Sequence, residues 1–347
     1  MSKTIIIIGA GLAGLSAALQ AAENGCNVKL VSSLPSERAQ SVMAEGGINA
    51  ALNTKDENDS PEEHFTDTIK AACGLADPSA VWGMTQAAPE LVHWLLKLGV
   101  KFNMSGYDDV DLRNFGGQKK KRTAFAQSDT GKQIMTAMID AVRRKEASGM
   151  VERFSHHSFL TLRLCGNICC GCVIRDEYSQ ETVELPGDAV IVATGGMHGL
   201  FGNTTGSLSN TGEVTAELFR LGVPLANGEM IQYHPTTVKC GGKRMLISEA
   251  ARGEGGRLFA MKDGKQWYFM EEKYPELGNL MPRDITAREI WKVSHESEVF
   301  LDMTEISEEI ISNKLFGLAD DCMTYLHKDI RKEPVSVLPG IHYFMGG

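Results

Sequence analysis

Residues 5–15 read Ile5-Ile6-Ile7-Ile8-Gly9-Ala10-Gly11-Leu12-Ala13-Gly14-Leu15, and this stretch decides the fold. Four β-branched residues in a row suit a strand buried on both faces, as in parallel sheets. Gly9, Gly11 and Gly14 then carry the dinucleotide spacing at a strand-to-helix turn. The first glycine permits the tight turn and the second lets backbone approach a pyrophosphate. The third lets the next helix pack closely on the strand. Residues 12–23 are rich in Ala and Leu and predict a helix whose free N–H groups and positive dipole end face the phosphates. The alternative is a glycine-rich turn in an ordinary α/β protein. The setting, between an apolar strand and a clean helix, favours the dinucleotide motif.

The bulk numbers narrow the class. At 347 residues the chain has room for two domains, with an ordinary 43% hydrophobic content. A net charge of -9 argues against nucleic acid or anionic lipid as the main partner. No apolar run reaches the roughly 18 residues needed to span a bilayer, and the N-terminus enters a strand with no secretory leader pattern. These features predict a cytoplasmic chain whose eight cysteines are reduced. Cys165, Cys169, Cys170 and Cys172 cluster, but their spacing fits neither common zinc pattern. The segment alternates like a hairpin around Gly166-Asn167, so core thiols are expected and no metal site.

Outward from the first motif, residues 27–33 predict a second strand. Ser32 and Ser33 stand where many dinucleotide folds place an acid on the ribose, which weakens a plain NAD reading. In residues 38–51 the paired glycines Gly46-Gly47 let backbone lie close to a flat ligand; a surface loop before a helix is the other reading. Ser60-Pro61-Glu62-Glu63 is a helix start, and Pro78 and Pro89 punctuate the helices that follow. The run 113–123 (RNFGGQKKKRT) is, on composition alone, a solvated basic surface. Residues 128–145 predict an amphipathic helix, and 151–190 a small β-meander with turns at Gly166-Asn167 and Pro186-Gly187. Residues 188–196 return as a second doubly buried strand ending Thr194-Gly195-Gly196. Thr211-Gly212-Glu213 opens another helix.

The chemistry-bearing stretch is 229–288. It holds EMIQYHPTT (229–237), then Ser248-Glu249-Ala250-Ala251-Arg252-Gly253, then Pro282-Arg283-Asp284. Glu249 and Arg252, three apart, pair if helical; a surface salt bridge and a core histidine at 234 are the plainer readings. Arginine is a poor general acid by its free pKa. Residues 296–339 predict a strand at 298–302 and helices at 305–312 and 318–326, and the chain ends His342-Tyr343-Phe344-Met345-Gly346-Gly347.

Taken in order, these segments resemble the flavoprotein subunits of the fumarate reductase and succinate dehydrogenase family, whose superfamily includes L-aspartate oxidase. The resemblance implies an α/β fold: a Rossmann-like FAD-binding domain with a β-meander insertion over residues 1–220, resumed at 340–347, and a smaller α+β capping domain over 221–339 that closes on the substrate. It assigns the FAD contacts to Gly9, Gly11, Ala13, Gly14, Ser32, Ser33, Gln40, Ser41, Glu45, Gly46, Gly47, Thr194, Gly195, Gly196 and Glu213. In membrane-bound members a histidine carries a covalent flavin bond. Gln40 stands at that position, so noncovalent FAD is expected, with fumarate reduction favoured over succinate oxidation. The resemblance makes Arg283 the proton donor and Glu249 and Arg252 its proton pathway. His234, Ser248, His342 and Phe115 are carried over as substrate residues. Phe115, before Gly116-Gly117, and Met345 mark the dicarboxylate branch, where aspartate oxidases carry Glu and more often Cys.

Implied partners are fumarate or succinate, an iron–sulfur electron-transfer subunit, and a membrane anchor reached through partners, on the inner face of the cell membrane. L-aspartate oxidase, forming iminoaspartate, is the runner-up; an inactive truncated flavin-binding fragment is the third reading. The family pattern continues past Gly347 with a further carboxylate-gripping arginine and a second glycine-rich segment. The expectation is a truncated chain, or one completed by another, with weak FAD binding and little turnover by itself.

Overall fold

In the computed structural model, which describes residues 2–115 and 118–344, Thr4–Ile8 forms the first strand and Leu12–Glu23 the first helix. Four strands make a wholly parallel sheet in the order Ala189–Val192, Thr4–Ile8, Asn27–Ser32, Val151–Ser155. Ile6 and Ile7 are fully buried because both faces of this sheet are covered. The first helix turns Leu15, Ala18, Leu19 and Ala22 inward. An antiparallel meander of His157–Cys165, Ile168–Asp176 and Thr182–Pro186 contributes Phe159, Cys172, Ile174 and Leu185 to a core shared with Ile6, Ile8 and Val31. Each such side chain contributes roughly 1.5–3 kcal/mol by leaving water.

Three expectations shift. Val151–Ser155 pairs with the second strand and so belongs to the parallel sheet, not to the meander. The returning strand Ala189–Val192 is not doubly buried: Ile191 and Val192 are each 39% exposed, because this strand is the edge of its sheet. Pro89 does not end a helix but sits inside Pro78–Leu98. The helix loses one N–H there and is held at its ends instead, by the Asp77 side chain on Ser79 N and by Gly99 at φ +103°.

The contacts divide the chain into two compact units. One gathers residues 2–43, 131–231 and 343–344; the other gathers 44–130 and 232–342. Residues 44–130 group with the later segment in the second unit. In that second unit Ser60 caps the helix Pro61–Ala71, its hydroxyl accepting from Glu63 N at 3.2 Å. The antiparallel strands Lys265–Trp267, Arg257–Lys262, Val299–Asp302 and Val335–Ser336 pack through Leu258, Ala260, Val299 and Leu301 on Phe269, Met270, Ile290 and Ile311. The sheet of Lys243–Leu246, Ile231–Cys240 and Leu338–Phe344 carries His234 and His342.

The basic run is solvated only in part: Lys119 and Lys121 are exposed, but Lys120 and Arg122 are held by acids. Arg122 is 1% exposed and binds Asp59 at 2.8 Å and Asp67 at 2.9 Å, while Lys120 pairs with Glu63. Buried guanidinium requires such partners.

Candidate functional site

The glycine motif of the first unit is fixed by close approach. Gly9 sits at φ +110° with its N–H on Val31 O at 2.8 Å, and a Cβ there would lie 2.2 Å from Ala193 O. A Cβ on Gly14 would lie 1.8 Å from Gly9 O. Gly11 is the helix N-cap, and the Ser41 hydroxyl accepts from Leu12 N at 3.2 Å. Ala13 is exposed at this end of the helix.

At the end of the second strand Ser32 is 7% exposed and its Oγ has no partner, whereas Ser33 is exposed. A buried hydroxyl without a partner is costly; a ribose hydroxyl is the group that satisfies it in a dinucleotide fold. A strand-to-helix turn whose glycines permit close backbone approach, with one unsatisfied hydroxyl beside it, fits a bound dinucleotide. Gln40 opens the short turn Gln40–Met43 and is half-buried. Thr194 is half-buried, Gly195 takes φ +75°, and a Cβ on Gly196 would meet the Phe344 ring at 2.8 Å. Glu213 is exposed in the first turn of Glu213–Arg220.

In the second unit Gly47 takes φ +125°, and a Cβ there would lie 2.4 Å from Ala124 O. The preceding backbone is clamped by Arg113, whose guanidinium donates to Glu45 O at 3.0 Å and, through Nε, to Gly46 O at 3.2 Å. That guanidinium lies over Phe125 at 4.4 Å and Phe115 at 5.3 Å, and the Phe115 ring in turn crowds Gly46. Burial lowers the Arg113 pKa to about 10. Burial, then the charge of Asp321, raises the Glu45 carboxyl to about 8, against a smaller opposing hydrogen bond from Ser248. Glu45, Arg113, Ser128, Ser248, Lys314 and Leu315 line a small recess.

The residues of 229–288 meet. Ser248 caps the helix Glu249–Gly253, its hydroxyl accepting from Ala250 N at 3.4 Å. The helix brings Arg252 Nη2 to 3.2 Å from Glu249 Oε1. Glu249 Oε2 accepts from Arg283 Nε at 2.9 Å, so one carboxylate spans two guanidinium groups. Arg283 is the first residue of Arg283–Val293, and its Nη1 donates to Gln232 Oε1 at 2.8 Å. Arg252 Nη1 donates to Asn279 O at 2.7 Å. The side chains of Glu249 and Arg252 are 4% and 0% exposed, that of Arg283 24%.

His234 is 1% exposed, its ring 5.1 Å from that of His342. His234 Nδ1 lies 3.1 Å from Thr236 O and 3.2 Å from Thr236 N, so the backbone of Thr236 fixes the ring. Burial, with the charges of Arg283, His342 and Arg252, holds His234 well below its ordinary pKa. Chemically this is a cluster with one excess positive charge, a neutral imidazole and a partly accessible guanidinium backed by a buried carboxylate. Such a cluster suits an anionic substrate and the delivery of a proton.

Gln232, Asn279 and Arg113 were not singled out from sequence. Gln232 had a signal, since it lies two residues from His234 and so shares a strand face with it. Gly116, Gly117, Met345, Gly346 and Gly347 lie outside the described residues. Among the described residues no helix is long and apolar enough to cross a membrane.

Known proteins give a consistent picture. The sequence pattern of the FAD binding domain family matches residues 4–347. The succinate dehydrogenase flavoprotein subunit of Bacillus subtilis is 43% identical over 354 residues, covering 99% of this chain and 60% of that protein. The L-aspartate oxidase of Nostoc is 33% identical over 353 residues, covering 99% of this chain and 58% of its own length. A mutant E. coli quinol fumarate reductase FrdA structure superposes with a TM-score of 0.91 at 28% identity, over 100% of this chain and 61% of that one. The chain therefore spans about 60% of the length of these relatives.

Proposed function

The chain belongs to the FAD-binding domain family, and from that premise we propose that it serves a flavin-dependent oxidoreductase interconverting fumarate and succinate, working toward fumarate reduction. FAD, when bound, supplies the hydride. Gly9, Gly11, Ala13, Gly14, Ser32 and Ser33 hold its dinucleotide part, with Thr194, Gly195, Gly196 and Glu213 as further contacts. Ser41, Glu45, Gly46 and Gly47 contact the flavin. Gln40 leaves that flavin without a covalent link, because a carboxamide cannot form the bond.

His234, Ser248, His342 and Phe115 bind the dicarboxylate. Arg283 gives the proton to the carbon opposite hydride delivery, and Glu249 with Arg252 returns a proton to it from solvent. The observation that supports this best is the Glu249 carboxylate bridging Arg252 and Arg283. Arginine's free pKa is far too high for an ordinary general acid; a neighbouring carboxylate that accepts and re-supplies the proton makes the role workable. An iron–sulfur electron-transfer subunit, and through it a membrane anchor, complete the proposal.

The test is an assay of the full-length, FAD-loaded protein with fumarate and a reduced viologen dye, beside L-aspartate with oxygen. Dye oxidation dependent on fumarate supports the proposal. Turnover of L-aspartate alone replaces it with L-aspartate oxidase, and inactivity with both leaves a binding module.

A further inference from the structure

The cysteine-rich hairpin takes no part in the flavin reading. His157–Cys165 and Ile168–Asp176 run antiparallel around Gly166 (φ +63°) and Asn167. Leu164 pairs with Cys169 and Arg163 with Gly171, so Cys170 is the extra residue of a bulge with no partner across the strands. A bulge re-aims the side chain it carries. Here it turns Cys170 Sγ to 2.6 Å from Cys165 Sγ, and the same Cys170 sulfur faces Arg163 O at 3.5 Å.

The four clustered cysteines therefore differ. Cys172 is fully buried in the core beneath the meander, and burial raises its thiol to about 11. Cys169 Sγ turns to Gly171 O at 3.6 Å. Cys165 is exposed and Cys170 half-buried, so the expected core thiols are in fact one core thiol and an accessible pair. The contact with Cys165 is the main cause of a raised Cys170 pKa. Cys165, the more open sulfur, is then the one to attack. Among the described residues no group of three His, Cys, Asp or Glu is arranged to hold a metal ion.

We propose that Cys165 and Cys170 form an oxidisable dithiol at the tip of the hairpin, which a peroxide converts to a disulfide. In the first step the Cys165 thiolate attacks a peroxide oxygen. An S–O bond forms, the O–O bond breaks, and the departing hydroxide takes a proton from solvent. In the second step the Cys170 sulfur attacks the sulfenic sulfur. An S–S bond forms, the S–O bond breaks, and the hydroxyl leaves as water with the Cys170 proton. Two thiols thus lose two electrons and two protons while one hydrogen peroxide becomes two waters. A thiol reductant reverses the reaction.

The test treats the intact chain with equimolar hydrogen peroxide, alkylates the remaining thiols, and maps peptides by mass spectrometry. Two of the eight cysteines should resist alkylation. The tryptic peptide 164–175 should carry two alkyl groups where the reduced control carries four, with an S–S bond in place of the other two, and dithiothreitol before alkylation should restore all four. Cys165→Ser and Cys170→Ser should each abolish the change, while Cys169→Ser keeps it. The proposal fails if all eight thiols stay reactive, if the bond survives in either of the first two variants, if it needs Cys169, or if Cys165 advances to sulfinic acid with no disulfide.

Discussion

Glu249 is the residue on which the cationic cluster turns. Both of its oxygens are committed, one to Arg252 and one to Arg283, and it has almost no contact with solvent. Glu249→Gln removes the charge and leaves a fully buried guanidinium without its counter-ion. Breaking a buried pair in this way costs about 3–5 kcal/mol, so thermal unfolding should move down sharply even where Gln keeps the shape. Glu45 gives a pH prediction. Its carboxyl titrates near 4.5 in the unfolded chain and near 8 in the folded one. Between those values the folded state holds a proton that the unfolded state has released, so this group's contribution to stability falls as pH rises from about 4.5 to about 8. Glu45→Gln removes that slope. A melting-temperature series over this window should be flatter for the variant, and an unchanged slope would contradict the assignment.

At the scale of elements, the parts legible in the sequence were those with a strong local cause. The four isoleucines, the glycine spacing and the Ala-rich run fix strand, turn and helix, and Leu12–Glu23 matches its expected span. Gly14→Ala tests that unit. The added methyl meets Gly9 O, a backbone atom that cannot rotate away, and overpacking costs at least about 1–3 kcal/mol. The variant should lose FAD and melt lower. Ser60→Ala should cost about 1 kcal/mol through loss of the hydroxyl on Glu63 N, measured by denaturant midpoint. The elements that sequence misplaced were set by tertiary context. Val151–Ser155 reads like its meander neighbours and is distinguished only by the strand it pairs with. Pro89 reads as a stop, yet the helix around it continues for 21 residues with caps at both ends. Arg122 reads as surface because its partners, Asp59 and Asp67, lie more than fifty residues earlier.

Across the whole molecule, two compact units carry different chemistry, one the glycine turn and the orphan Ser32 hydroxyl, the other the arginine and histidine cluster. The residue types of that second cluster were legible from spacing, because Glu249 and Arg252 lie one helical turn apart. Their link to Arg283, thirty-four residues on, was not, since only folding brings a distant side chain to the second carboxylate oxygen. Gln40 yields a prediction at this scale: acid precipitation of the full-length flavoprotein should leave the yellow colour in the supernatant, and colour in the pellet would contradict noncovalent FAD.

The most direct measurement compares fumarate-dependent oxidation of a reduced viologen dye by the full-length, FAD-loaded wild type, Arg283→Lys and Glu249→Gln, each normalised to bound FAD. Wild-type turnover with a fall of roughly 10²–10⁴ in both variants, at unchanged flavin content, is the result predicted for a proton passed through Glu249 to Arg283. Wild-type rates in Arg283→Lys, with flavin bound and fumarate consumed, would contradict it.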